Sequence, residues 1–392
     1  MPKKPFRFIR LLKKIGFIIL IGTLIIIFFY YQKKTKDEIN FLYLNKTKTE
    51  KTLKKMSLEI KNLKTRNEYK INKKLESEIS AIEKTYKNSI KVYEKLVDLK
   101  TQIRNTSQLD YQFVDILSLL AKRNYSSAEY KLNQLNKLID DEKLKISKSF
   151  QIPQNVKESN TPPNSGFSAQ IVKSPVGDFL IYLVAADLNS TRVIVDTASD
   201  EDCKNNCPVL SLADYVSRSG AFAGINGSYF CPADYPSCSD KKNSFDTLVM
   251  NKNKKYINSD NNIYSTVPAV IFYGNSARFV TQSLEWGRDT SVDAVLAMQP
   301  LLILNGNIVF NGDGEPKRNS KGNRSFVGVT DSTVYIGVVM NATVYEAAQV
   351  IHTLGIKNAL NLDSGGSTAL WSNGYKVGPG RNIPNALLFV PK

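Results

Sequence analysis

Between Thr35 and Ser149 the chain contains neither proline nor glycine. Those residues interrupt helices, proline by lacking a backbone donor and glycine by its conformational freedom. A stretch this long without either predicts extended helical structure. Within it, apolar and aromatic side chains recur at three-to-four spacing: Leu75, Ile79, Ile82, Tyr86, Ile90, Tyr93 and Val97. That spacing predicts an amphipathic stripe suited to a coiled coil or a helical hairpin. Further on, residues 111–120 and 128–146 predict two shorter helices joined by a turn at 122–127.

The segment before this region is different. Residues 15–31, IGFIILIGTLIIIFFYY, form a run of 17 residues without a charge. As a helix it would span ~26 Å, about the thickness of a hydrocarbon core. Phe28, Phe29, Tyr30 and Tyr31 would then form an aromatic belt at one interface. No small-x-small cleavage site precedes Gln32-Lys33-Lys34, so the run predicts an uncleaved signal anchor rather than a removed signal peptide. Lys3, Lys4, Arg7, Arg10, Lys13 and Lys14 precede it. The expectation is a single-pass protein of the cell membrane, its N-terminus cytoplasmic and its C-terminal part extracytoplasmic.

Four regions follow from this pattern. Residues 1–34 are a basic tail and transmembrane anchor, and 35–150 a helical stalk through which the chain could form a homo-oligomer. Residues 151–167, QIPQNVKESNTPPNSGF, are a proline-rich linker, and 168–392 a second domain. The charge divides the same way. Residues 1–150 hold 33 of the 53 Lys and Arg but 16 of the 36 Asp and Glu, whereas 151–392 hold 20 of each. A C-terminal domain without net charge argues against nucleic acid as a partner. A basic segment beside a membrane more often meets anionic lipid or wall polymer, though a solvated lysine-rich helix has the same composition.

All four cysteines lie in the second domain. An even count behind an export signal predicts disulfides, and the local pairings Cys203–Cys207 and Cys231–Cys238 are favoured among the three possible. The C-x3-C and C-x6-C spacings suit zinc poorly. No metal site is expected, although Asp, Asn and carbonyl oxygens leave calcium open, and no cofactor is implied.

The stretch NLDSGGSTALW, residues 361–371, contains Asp-Ser-Gly-Gly, which invites a serine-protease reading. That chemistry needs a histidine base. The one histidine, His352, lies in TVYEAAQVIHTLG, an amphipathic helix that begins after Thr343 and stops at Gly355. It is better read as a residue of that helix than as a base. A different reading fits the local pattern. Residues 357–362 predict a short buried strand, which delivers Asp363 to its C-terminal end just before Ser364, Gly365, Gly366, Ser367 and Thr368. Ligands of sheet proteins often bind where strands end. Adjacent glycines allow a close backbone approach, and their amides can hold an anion. A carboxylate among amide and hydroxyl donors suits a sugar, a phosphate, or both; the bland alternative is a tight glycine turn.

These residues, with five further segments in order, resemble the phosphodiester glycosidase family. Asn361 to Thr368 is similar to the family's Asn-Leu-Asp-Gly-Gly-Gly-Ser-Ser/Thr hallmark. AGINGSYF (223–230) resembles its Asn-Gly-x-Phe-Phe segment, and MQPLLILNGNIV (298–309) its Pro-x-Leu plus turn. NRSFVGVT (323–330) resembles its Arg-Ser/Thr-x-x-Gly strand, and VYEAAQVIHTLGIKNALNLD its helix-strand run into the hallmark. GRNIPNALLFV (380–390) resembles its closing strand. Two departures stand out. Ser364 replaces the first hallmark glycine, and Met340-Asn341-Ala342 stands where Asp-Gly-Arg often follows.

The resemblance implies an α+β, mixed-sheet domain that hydrolyses sugar-1-phosphodiesters of glycans or cell-envelope polymers at the anomeric carbon. It implies Asp363, Glu346 and Arg324 as catalytic candidates. Asn226, Gly227, Ser228, Ser364, Gly365, Gly366, Ser367, Thr368, Arg381 and Asn385 are the substrate-binding candidates, with Asn385 a possible orienter of Asp363. Arg324 and Arg381 suit phosphate because guanidinium binds it with two parallel bonds. Glu346 also fits an ordinary first-turn helix position. Two readings compete with hydrolysis: a glycan-binding or phosphosugar-binding module without turnover, and a scaffold driven by the helical stalk.

Overall fold

The computed structural model describes residues 6–258 and 265–392, and the side chains of residues 6–15 and 18 lie outside that description. The basic tail read from the sequence therefore falls largely outside it. The chain divides into two compact units, residues 1–83 and 84–392.

Helix α1, Phe6–Thr65, belongs to the first unit, and α2, Asn67–Lys100, runs from the first unit into the second. The expected membrane anchor is not met: among the described residues, no helix is long and apolar enough to cross a membrane. The physical reason lies in length and flanks. The uncharged run has 17 residues, fewer than the ~20 a span ordinarily needs. Charged residues begin at once on its far side, with Lys33, Lys34, Lys36, Asp37 and Glu38 inside the same helix. The single-pass topology and the membrane localisation inferred from that run fall with it.

In the second unit, α2 packs with α3, Ser107–Ala121, and α4, Tyr125–Ser149. Their shared core is Val92, Leu96 and Leu99, then Leu109, Phe113, Ile116 and Leu120, then Ala128, Leu132, Leu135 and Ile139. Each set steps by three or four, so each helix turns one continuous stripe inward. Asn124 caps α4 by accepting from the Ser127 amide at 3.2 Å, which supplies one of the acceptors a helix start lacks. The stripe expected at 75–97 is not this buried face. Leu75, Ile79, Tyr86 and Ile90 are exposed, and α2 instead buries Thr85, Ser89, Val92, Leu96 and Leu99.

Among the described residues, 157–258 and 265–391 build three sheets and three further α-helices, α5 (Leu212–Ser219), α6 (Pro316–Asn319) and α7 (Val344–Thr353). The eight-stranded sheet runs Lys157–Glu158, Gly166–Ser174, Gly177–Asp187, Thr333–Ala342, Gly322–Thr330, Asn358–Asn361, Leu301–Leu304 and Asn307–Ile308. Only its first pair is parallel. A five-stranded sheet joins Tyr375–Val377, Leu370–Ser372, Ala223–Asn226, Asn385–Pro391 and Thr191–Thr197, all antiparallel. A second five-stranded sheet lies between residues 249 and 297. The domain is α+β, as expected. A single apolar layer, including Val195, Ile225, Val270, Leu296, Val327, Ile336, Leu360 and Leu387, draws on strands of all three sheets, and α7 covers the other face of the eight-stranded sheet through Ala347, Ala348 and Ile351. Strands buried on both faces read as nearly unbroken apolar runs, as in Asn385–Pro391 and Thr333–Ala342.

Both expected disulfides are present, Cys203–Cys207 with Cα atoms 5.7 Å apart and Cys231–Cys238 with Cα atoms 5.4 Å apart.

Candidate active site

The strand Asn358–Asn361 pairs with Gly322–Thr330, and Ala223–Asn226 pairs with Leu370–Ser372 and Asn385–Pro391. The hallmark loop leaves the first of these strands and enters Leu370–Ser372. It therefore bridges two sheets, and the segments singled out in the sequence converge where it does so.

Asn226 is fully buried and acts as a clamp. Its Nδ2 donates to the Asp363 carbonyl at 2.6 Å, and its Oδ1 accepts from the Ala369 amide at 3.1 Å and the Ser325 hydroxyl at 2.9 Å. Fully buried, with its oxygen and a donor both engaged inside the protein, the Asn226 amide is turned to the loop rather than to a ligand. The Asp363 amide donates to Gly227 O at 3.1 Å. Asn385 accepts from the Ser228 amide at 3.0 Å and donates to the Ser228 hydroxyl at 3.0 Å. Asn385 thus positions Asp363 at one remove, by fixing the 227–228 turn on which Asp363 hangs. Asn226, Ser228 and Asn385 are structural braces of the loop.

Asp363 is half-buried and lines a cavity of about 460 Å³. Desolvation raises its pKa to about 6, while the Ser367 hydroxyl, the Ser364 amide and the charge of Arg381 pull the other way. The Ser364 amide donates to its Oδ1 at 2.9 Å. The carboxylate is therefore poised near neutrality, in the range that suits acid-base work.

Ser364 is no nucleophile in this arrangement. Its hydroxyl donates to Leu362 O at 3.2 Å and accepts from the Ser325 amide at 3.4 Å. His352 is exposed on α7, its Nε2 3.1 Å from Gly306 O. The serine fits because the backbone there is extended, with φ −139°. The next position, Gly365, has φ +68° and falls in the region that favours glycine. At Gly366 the constraint is contact: a Cβ would sit 2.4 Å from Arg381 Nη2. The Arg381 guanidinium lies on the loop's backbone, which only a glycine permits. Thr368 is buried and donates to Asn323 O at 3.4 Å.

Arg324 and Arg381 both line the cavity. Arg324 is buried and gives its protons to carbonyls: Nε to Ala342 at 2.9 Å, Nη2 to Lys317 at 2.9 Å and also to Ser320. Burial lowers its pKa to about 10, so it remains a cation at neutral pH without a carboxylate partner. Arg381 stands 3.6 Å from the Asp98 carboxylate of α2, and its Nε, buried against the Gly366 backbone, has no hydrogen-bond partner among the described residues.

Glu346 is drawn elsewhere. It closes the capping box at the start of α7, accepting from the Thr343 amide at 2.7 Å, and pairs with Lys321 at 2.6 Å. It does not line the cavity. Two further carboxylates line the cavity from the domain's side: Asp246, whose pKa burial raises and which lies 3.9 Å from Lys241, and Glu315, which caps α6 by accepting from the Lys317 amide at 3.3 Å.

Sequence reasoning missed Tyr229, Tyr235, Asp246, Lys317 and Arg318, and missed the part that the predicted helices play in lining the cavity. Tyr229 had a signal, since it stands at the first phenylalanine of the Asn-Gly-x-Phe-Phe segment. Its phenol accepts from Asn361 Nδ2 at 3.3 Å, and burial with the charge of Asp363 raises its pKa. Asp98, Gln102 and Lys143, from the end of α2 and from α4, form one wall. Asp98 accepts from the Tyr235 hydroxyl, Glu94 from the Ser237 amide at 3.0 Å, and Ser147 O from Asn341 Nδ2 at 2.9 Å. Asn341 belongs to the triplet that departs from the family pattern; here it anchors α4. Among the described residues, no group of three or more His, Cys, Asp or Glu is placed to hold a metal.

The sequence profile of the phosphodiester glycosidase family matches residues 219–390. No curated protein matches the chain. Among solved structures it is similar to a hypothetical protein from Synechocystis, at 12% identity and a TM-score of 0.43, over 58% of this chain and 62% of that one. It is also similar to the catalytic domain of zebrafish N-acetylglucosamine-1-phosphodiester alpha-N-acetylglucosaminidase, auto-inhibited by its pro-peptide, at 14% identity and a TM-score of 0.44. That likeness covers 61% of this chain and 87% of the zebrafish domain. Residues 219–390, which hold Asn226, Arg324, Asp363 and Arg381, thus carry the phosphodiester glycosidase family's pattern.

Proposed function

We propose that the cavity around Asp363 hydrolyses a sugar-1-phosphodiester at the anomeric carbon. The observation that carries this reading is one carboxylate with a pKa of about 6 in a cavity it shares with Arg324 and Arg381. Cleavage of such a bond passes through an oxocarbenium-like state, with positive charge growing on the sugar and negative charge on the departing phosphate. Ionised Asp363 opposes the first, as nucleophile, base or ion-pair stabiliser. The charges of Arg381 and Arg324, which line the same cavity, oppose the second. The departing group is a phosphate monoester, a weak base that needs little protonation, and Asp246, which lines the same cavity, is the candidate to assist.

A binding module without turnover is the second reading, and one contact favours it: Asp98 already holds Arg381. The test is incubation of the full chain with a panel of sugar-1-phosphodiesters, α-N-acetylglucosamine-1-phospho-methyl-glycoside first, with assay of free sugar. Release of sugar supports hydrolysis. Binding without release across the panel supports the module.

A further inference from the structure

The helices α2 and α4 do more than stand beside the cavity. Of its cationic lining residues, Arg318 pairs with Asp313, Lys321 with Glu346 and Arg381 with Asp98. Arg324 gives its protons to carbonyls instead, and Lys143 and Lys317 follow neither pattern. Among the described residues, the Lys143 ammonium has neither a hydrogen bond nor an ion pair, although the residue is half-buried. Lys317 Nζ lies 5.2 Å from the centre of the Tyr235 ring and likewise lacks a carboxylate. Burial lowers the pKa of Lys143; Asp98 is the strongest neighbouring charge and acts against that, and Lys317 adds to the lowering. Two ammonium groups that line one cavity from separate elements, α4 and α6, offer charged donors to an anion held between them.

We propose that Lys143 and Lys317 form an anion subsite that takes a phosphate group of the substrate beyond the scissile phosphodiester. The ligand class is then a polyanion carrying at least two phosphates, and the helical segment 84–149 is part of the substrate site. The second phosphate deepens the hydrolase reading and rests on it; the anion subsite itself does not. Asp98, the strongest charge acting on Lys143, is shared with Arg381 and the Tyr235 hydroxyl, which leaves Lys143 able to take a further anion.

The probe is inorganic tripolyphosphate, titrated into the full chain by calorimetry with orthophosphate as the single-anion reference. Wild type is expected to bind tripolyphosphate at least about tenfold more tightly than orthophosphate. Lys143→Gln and Lys317→Gln are each expected to lose about fivefold or more of that affinity. Lys148→Gln, an exposed lysine on the same helix, controls for the basic character of the chain and should leave it unchanged. Equal losses in Lys143→Gln and Lys148→Gln, or no loss in Lys143→Gln with its helical signal intact, would overturn the subsite. Loss in Lys143→Gln from a wild type that hydrolyses no sugar-1-phosphodiester would keep the subsite and remove only the hydrolase reading.

Discussion

Asp363 ends a buried strand, and Glu346 begins a helix; the sequence offers both as carboxylates of one site. At the strand end, the backbone of Asp363 is spent on Gly227 and Asn226 while the side chain stays on the cavity. At the helix start the reverse holds. The Glu346 side chain is consumed by the Thr343 amide and by Lys321. A first-turn glutamate stabilises a helix by satisfying a free amide and opposing the dipole, and that use competes with chemistry. A carboxylate whose backbone does the anchoring keeps its side chain free to react.

Asp363→Asn breaks the comparison hardest. Turnover of a sugar-1-phosphodiester should fall by about 10²–10⁴-fold, while the melting temperature at neutral pH holds or rises. The sign follows from the raised pKa. Relative to the unfolded chain, burial disfavours the Asp363 carboxylate, so stability is lost as pH rises through about 6. A neutral amide avoids that loss.

Gly366→Ala should cost about 10–100-fold in turnover, because the new Cβ displaces the Arg381 guanidinium that lies 2.4 Å from its position. The accompanying strain of about 1–3 kcal/mol would appear as a lower denaturation midpoint. An Arg381→Lys change that rescued the variant would locate the fault in that contact.

The pH profile sharpens the comparison on the wild-type protein. If Asp363 acts ionised, kcat/KM should fall about tenfold per unit once pH drops below about 6. A profile rising toward acid would assign it a proton-donor role instead.

Glu346→Gln should be the mirror image of Asp363→Asn. Stability is expected to fall by about 1 kcal/mol, read by chemical denaturation, while turnover changes less than about threefold. Smallest of all is Ser364→Gly. With its extended backbone, Ser364 restrains the unfolded chain more than glycine does, so the variant should lose about 0.5–1 kcal/mol and keep its turnover. Abolished turnover there would revive the serine-nucleophile reading.

What was legible in the sequence is instructive in the same terms. The hallmark loop could be read because glycine spacing and a strand-end aspartate carry their own local logic. The α+β domain and both disulfides could be read for similar reasons. The roles of Asn226 and Asn385 could not, since an asparagine that grips a ligand and one that grips the backbone look alike until their partners are seen. The run at 15–31 misled because apolarity was clear but its length was marginal. Lys143 and Asp98 left no trace at all. They reach the cavity from helices far from the hallmark in sequence, and only packing brings them there.

The most direct test measures free sugar released from sugar-1-phosphodiesters by three full-length proteins side by side: wild type, Asp363→Asn and Glu346→Gln. The account predicts release by wild type and Glu346→Gln, and release reduced at least a hundredfold in a folded Asp363→Asn. Full release by Asp363→Asn, or its loss in a folded Glu346→Gln alone, would contradict it.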